Sequence, residues 1–174
     1  TIPGSDKTFT VTQAQNEYGP GDWFPGDHPP MPEIVAHGKQ AIGLRACSLC
    51  HYPNGQGKAE NAPVGGLPVN YFLQQLADFK SGARRSADRN KANAFEMAAI
   101  ASALTDAEKK AAAEYFGAVK YRPWVKVTET ASVPKFTQTI NGLFQPADGT
   151  ETEPLGQRLV ELTVDREATF ILRN

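Results

Sequence analysis

The stretch RACSLCHYPNGQGKAENAPVGGLP, residues 45–68, constrains this chain more than any other. It contains both cysteines of the sequence, Cys47 and Cys50, and His51 follows the second directly. Two thiols and an imidazole crowded onto one turn of chain serve three chemistries: a redox dithiol, a zinc site, or covalent attachment of haem through C-x-x-C-H.

The surroundings separate these readings. A thioredoxin-like pair follows a strand in a βαβ setting, and no Val- or Ile-rich strand precedes Cys47. A structural zinc ion takes four ligands, whereas the sequence offers two cysteines and three histidines, and His28 and His37 lack the paired spacing. Haem attachment gives the spacing a chemical reason: two thiols add across two vinyl groups and hold the imidazole of His51 beneath the iron. A low-spin electron-transfer haem takes a second strong axial ligand, and methionine there raises the potential. Met31 lies in a proline-rich stretch ahead of the motif, while Met97 stands downstream, just before a capped helix. Met97 is therefore the expected sixth ligand.

With 174 residues, 40% of them hydrophobic, the chain suits one cored domain with appendages. A net charge of −1 provides no field for nucleic acid or an anionic membrane. No apolar run approaches the roughly 18 residues of a membrane helix. Residues 1–32 form an irregular arm, because the prolines of EYGPGDWFPGDHPPMP exclude helix. Its Tyr18, Trp23 and Phe24 predict an ordered segment lying across a core. Residues 33–119 read as helical. MPEIVAHGKQAIGLRACSLCH starts a helix at Pro32, with apolar Ile34, Val35 and Ile42, and with Gly38 and Gly43 as weak points. After an Asn54-Gly55 turn, LPVNYFLQQLADFKSG is an amphipathic helix opened by Pro68 and closed by Gly82. AFEMAAIASAL and TDAEKKAAAEYFGAV follow as helices, the second opened by a Thr105–Glu108 capping box. In the tail, 120–174, PWVKVTETASV and QRLVELTVDREATFILRN read as short strands flanking the turn-rich NGLFQPADGTETEPLG. The fold class is mainly α, with short β-strands in the tail.

CSLCH in an N-terminal helix, a glycine-rich loop, YFLQQLADFKSG, and Met97 ahead of LTDAEKKAAAEYF together resemble a class I c-type cytochrome, of the bacterial monohaem kind, over about residues 33–119. The resemblance implies a cytochrome c fold around one haem c bound through two thioethers. It implies cofactor-binding Cys47, Cys50, His51, Met97 and Pro63, with His51 and Met97 as iron ligands and no catalytic residue. In that family a proline carbonyl accepts the hydrogen bond of the proximal histidine, and Pro63 matches its place. A small residue of the first helix, Gly38 or Ala41, is expected to meet Tyr115 and Phe116 of the last. The implied function is electron transfer between Fe(II) and Fe(III) without substrate turnover. A haem-bearing subunit of a dehydrogenase or respiratory complex, and an open-site ligand-binding or peroxidase-like haem protein, are the alternatives. Haem c is attached after export, so a periplasmic location with the signal peptide removed is implied; the opening TIPGSDKTFT contains no leader pattern. The arm 1–32 and the tail 120–174 have no counterpart in a minimal member.

Three further features complete the reading. KSGARRSADRNK places Lys80, Arg84, Arg85, Arg89 and Lys91 close together, either as a solvated loop or as a docking patch for an acidic redox partner. Tyr52, Tyr71, Phe72, Phe79 and Phe95 are expected in the core, some of them lining the haem crevice. His28 and His37 are expected to be structural or solvent-exposed.

Overall fold

Proline and glycine cut the first part of the chain into short pieces. The structure, a computed structural model, describes residues 4–123, 125–140 and 142–162. In the arm, a single helical turn, α1 (Val11–Ala14), is opened by a Thr10–Gln13 capping box. The rest is irregular but anchored. Trp23 is buried edge-on against Phe9, with ring centroids 4.8 Å apart, and Ser5 Oγ donates to the Trp23 carbonyl at 2.6 Å. His37 Nδ1 donates to the Tyr18 carbonyl at 2.9 Å. His28 Nε2 lies 3.1 Å from Asp22 Oδ2. Both histidines tie the arm together, as the structural reading expects.

α2 (Glu33–Ala36) starts after Pro32 and buries Ile34 and Val35. The helix stops because the chain doubles back at Gly38, whose φ is +63°. A Cβ there would sit 2.3 Å from the Leu44 carbonyl oxygen. The Lys39 and Leu44 backbones exchange hydrogen bonds of 2.7 and 3.1 Å around a 3-10 turn, Gln40–Ile42. This corrects the expectation for Gly38 and Ala41. Gly38 makes room for backbone rather than for an aromatic ring, and Ala41 and Ile42 face solvent. α3 (Cys47–His51) follows.

Three longer helices complete the helical part. α4 (Val69–Ser81) begins after Pro68 and ends at left-handed Gly82, whose N–H donates to the Phe79 carbonyl at 3.2 Å. α5 is Ala92–Ala103, and α6 (Asp106–Ala118) opens with the Thr105–Glu108 capping box. α4 packs on α5 and α6, and α2 packs on α6. Their shared core holds Ile34, Val35, Leu76, Leu104, Ala112 and Phe116. Phe116 is fully buried, which stabilises the fold by about 2–3 kcal/mol. Close approach to its ring is permitted by Gly55, where a Cβ would lie 3.2 Å from the ring and 2.6 Å from the Gly65 backbone. No helix among the described residues is long and apolar enough to cross a membrane.

The tail forms two antiparallel pairs from β1 (Ser132–Pro134), β2 (Phe136–Gln138), β3 (Phe144–Pro146) and β4 (Thr152–Pro154). β1 pairs with β4, and β2 with β3. Only β1 meets a β-branched run, and only at its end, Ser132 and Val133. Residues 125–131 carry none, and β3 and β4 lie within the stretch read as loop. Each is three residues long, and Pro134, Pro146 and Pro154 end three of them, so proline content masks them. The second expected run extends into residues 163–174, outside the described residues; Leu162 makes one bridge to Phe144.

Candidate functional site

α3 is too short to be stable alone, and the loop after it satisfies its carbonyls. The N–H groups of Lys58 and Gly57 donate to the Cys50 and His51 carbonyls at 3.0 and 2.9 Å. Tyr52 turns the chain with φ +60° and ψ 156°, a positive-φ conformation that glycine adopts and that only surrounding contacts maintain in a non-glycine residue. The next carbonyl, of Pro53, accepts the Tyr115 hydroxyl at 2.6 Å. Further along, the Gly55 carbonyl accepts from the N–H groups of Val64 and Gly65 at 2.7 and 2.9 Å. The loop is thereby folded back beneath α3.

This folding brings the Ala62 carbonyl to 3.0 Å from His51 Nδ1. A carbonyl can only accept, so Nδ1 carries the proton and Nε2 is the lone-pair atom of the ring. The acceptor expected at Pro63 is therefore Ala62, one residue earlier. The bonded oxygen belongs to the Ala62–Pro63 peptide, and the proline ring restricts Ala62 to extended conformations, which fixes where that oxygen points. Pro63 itself lines a separate small depression with Asp27, Asn54 and Arg122.

Cys47, Cys50 and His51 open onto one cleft of about 650 Å³, its open mouth included. Phe72 and Leu76 of α4, Met97 and Ile100 of α5, and Ala112 and Phe116 of α6 supply its apolar walls. The structure thus brings together four of the five expected site residues, from two helices far apart in sequence. Met31 packs against the core but is not among the residues lining the cleft. Of the expected aromatic residues, Phe72 lines the cleft, Tyr52 is buried and Phe79 packs on the core, whereas Tyr71 and Phe95 are exposed.

Four polar residues of the cleft were not foreseen: Arg45, Asn61, Asn93 and Glu96. Arg45 reaches Glu96 at 3.1 Å and Glu17 of the arm at 2.8 Å. Asn93 Nδ2 donates to Asn61 Oδ1 at 2.8 Å. Arg45 adjoins the cysteine motif and Glu96 adjoins Met97, the one local hint available. Nothing in sequence spacing pairs them.

Burial pushes the Cys47 thiol up to about 12, with a backbone hydrogen bond opposing. Burial also raises Cys50, with Lys58 and Arg45 opposing and Glu96 and Glu60 adding. Neither thiol has the electropositive setting that activates a redox cysteine. For His51, burial favours the neutral ring, the Ala62 bond opposes this, and the charges of Arg84 and Lys58 add to it. The basic loop therefore reaches electrostatically to the site. Within that loop, Arg84 stacks over the Phe79 ring at 4.8 Å and donates to Gln75, and Arg85 donates to the Gly82 carbonyl.

The donor set is two thiols one helical turn apart, an imidazole with a fixed tautomer, and a thioether from another helix. These groups share one cleft with apolar walls, and as a donor set they suit a covalently attached iron porphyrin. Comparison with known proteins agrees. The model of the family described as Cytochrome c matches residues 35–120. Cytochrome c4 of Azotobacter vinelandii is 36% identical over 80 residues, covering 45% of this chain and 36% of that protein. Cytochrome c4 of Pseudomonas aeruginosa is 35% identical over 93 residues, covering 48% of this chain and 44% of that protein. The solved structure of reduced recombinant cytochrome c4 from Pseudomonas stutzeri is 32% identical, covers 48% of this chain and 43% of that one, and superposes with a TM-score of 0.41. The matched stretch spans less than half the length of these relatives.

Proposed function

We propose, from the premise that this chain belongs to the cytochrome c family through residues 35–120 and carries covalently attached haem c, that it is an exported one-electron carrier with His51 and Met97 as axial ligands. The observation that carries the proposal is that Cys47, Cys50, His51 and Met97 line the same cleft. When bound, the haem supplies a one-electron Fe(II)/Fe(III) couple. Cys47 and Cys50 hold it through thioether bonds, and His51 presents Nε2 while its Nδ1 proton stays on the Ala62 carbonyl. That bond fixes the ring and increases its basicity toward a metal. Met97 would hold the iron through a soft sulfur, which favours the reduced state. Phe72, Leu76, Ile100 and Phe116 keep water from the cleft, so little reorganises when charge changes. Lys80, Arg84, Arg85 and Arg89 form the face toward an acidic redox partner, and Arg84 already acts on His51. Since thioether attachment follows export, the place of action is the periplasm.

The test is spectroscopic. The ferric protein is expected to show the weak far-red band of a sulfur-ligated c haem, and Met97→Ala to lose it while keeping the haem covalently bound. Rapid cyanide or carbon monoxide binding by the unaltered protein would show an open iron and overturn the carrier reading.

A further inference from the structure

Helix α5, which carries Met97, has no side-chain cap of its own: Lys91 at its N-cap makes no capping bond, and its first turn contains no acidic residue. The opening N–H groups of a helix need outside partners. One comes from the tail, since the Ala92 N–H donates to the Ile140 carbonyl at 3.1 Å. Around it, Gln138 Nε2 donates to Asp88 Oδ2 at 3.0 Å, while Asp88 Oδ1 accepts the Asn90 N–H at 2.8 Å. The tail therefore also orders the loop that leads into α5. The Lys91 stem lies across Gly142, where a Cβ would come within 2.8 Å of Lys91 Cε.

The tail segment that makes these contacts is itself well fixed. The Thr139 N–H donates to the Leu143 carbonyl at 2.9 Å, and the Gly142 N–H donates to the Thr139 carbonyl at 2.8 Å. The Leu143 N–H donates to Thr139 Oγ1 at 3.1 Å, and the Leu143 side chain is buried. On either side, β2 and β3 pair in register, with Phe136 and Phe144 ring to ring at 4.6 Å. A short braced turn thus presents one carbonyl to the end of the helix. The attachment helix α3 is held differently, by residues 57, 58 and 62.

We infer that residues 138–140 and 142–143 of the tail are a strap that caps α5 and thereby positions Met97. The inference rests on reading Met97 as an iron ligand. Cysteine attachment and His51 do not depend on the strap, but Met97 does, because a frayed first turn loosens the helix that presents it. Gln138 and Gly142 are positioning residues: neither lines the cleft, and both act through the entry to α5.

The experiment uses the full haem-loaded chain with Gly142→Val, Gly142→Asn and Gln138→Ala. Gly142 has φ +85°, which a β-branched residue resists and asparagine tolerates. Loss of one capping hydrogen bond should speed amide exchange at Ala92 by about three- to tenfold in Gly142→Val, with imidazole displacing methionine from the ferric protein faster by a similar factor. Gln138→Ala should shift both in the same direction, and Gly142→Asn, whose Cβ also meets the Lys91 stem but whose φ is tolerated, should shift both by less than Gly142→Val. Unchanged Ala92 exchange in Gly142→Val overturns the strap. Faster exchange with unchanged imidazole binding, in protein that shows the far-red sulfur band, overturns the positioning role. Absence of that band from the unaltered protein overturns the ligand reading, and the positioning role with it; Ala92 exchange then decides the cap alone.

Discussion

Replacing Tyr115 with phenylalanine removes one oxygen and one bond. The hydroxyl donates to the Pro53 carbonyl at 2.6 Å across 62 residues, and the ring is 5% exposed. Phenylalanine keeps the ring contacts with Phe116, so no large cavity forms. What remains is a carbonyl deprived of its donor, and a buried acceptor left unsatisfied costs about 1–3 kcal/mol. We expect a loss of about 2 kcal/mol near neutral pH, or roughly 4–8 °C in Tm for a chain of this size.

The pH dependence provides a second reading of the same group. Burial holds the Tyr115 phenol well above its ordinary value, and the charge of Asp22 adds to this. A raised value in the folded state means that the contribution is complete below the unfolded value of about 10. It is lost as pH rises from there toward the folded value, because the unfolded chain releases the proton first. One proton corresponds to about 1.4 kcal/mol per pH unit across that window. Urea unfolding of the haem-loaded protein, followed by far-ultraviolet circular dichroism, should show the gap between the unaltered chain and Tyr115→Phe narrowing between about pH 10 and about pH 11. Equal stability at neutral pH, or a gap that does not change with alkali, would refute the buried hydrogen-bonded phenol.

Thr105→Ala removes the capping bond to the Glu108 N–H and should cost about 1 kcal/mol by urea unfolding. Bonds to the Thr105 backbone hold the Glu108 carboxyl below the usual range, with Lys39 assisting, so its contribution is present above about pH 4.5 and fades as pH falls through the lowered value. An acid-unfolding profile that does not flatten in Glu108→Gln would contradict this. Gly55→Ala places a Cβ 2.6 Å from the Gly65 backbone at φ +70°, and should cost about 3 kcal/mol in chemical denaturation. A near-neutral result would show that the loop beneath α3 is not so tightly crossed. Arg122→Ala breaks a two-bond contact with Asp27, 2.9 and 3.0 Å, in which the arginine is largely exposed. It should change thermal stability by less than about 1 kcal/mol, and a larger loss would give the arm more weight than an exposed ion pair has.

How much of this was legible depended on how local the signal was. Pro68 and Gly82 bracket α4, and Thr105 with Glu108 opens α6, because caps are decided within a few residues. CSLCH was legible because its chemistry requires adjacent residues. The Gly38 reading failed because what a glycine accommodates is set by a partner chain segment, here the backbone at 44–46. The shift from Pro63 to Ala62 has a similar cause: which carbonyl of a loop reaches an imidazole depends on the path of the whole loop. The tail does contain short strands, as expected, but most of their positions were missed, for a physical reason as well. Strand propensity mostly reports packing against neighbours, and three-residue strands ending in proline give little pattern to read.

Arm and tail lie outside the stretch that resembles the family, yet each makes hydrogen bonds that the helical part cannot make for itself. The Ala46 N–H, at the cap of α3, donates to the Glu17 carbonyl at 2.9 Å, and the Glu17 carboxylate meets Arg45. The arm thus acts on the side of the cleft that holds the cysteines and His51. The tail acts on the other side, through Ala92 at the start of the helix that carries Met97. Arg45 joins the two sides across the cleft by its bond to Glu96. Loosening the arm should therefore be felt first at α3 and loosening the tail first at α5, with Arg45–Glu96 as the route by which either disturbance reaches the other. Such coupling runs through a half-exposed ion pair, so it should weaken with added salt, while the buried contacts around Phe116 should not.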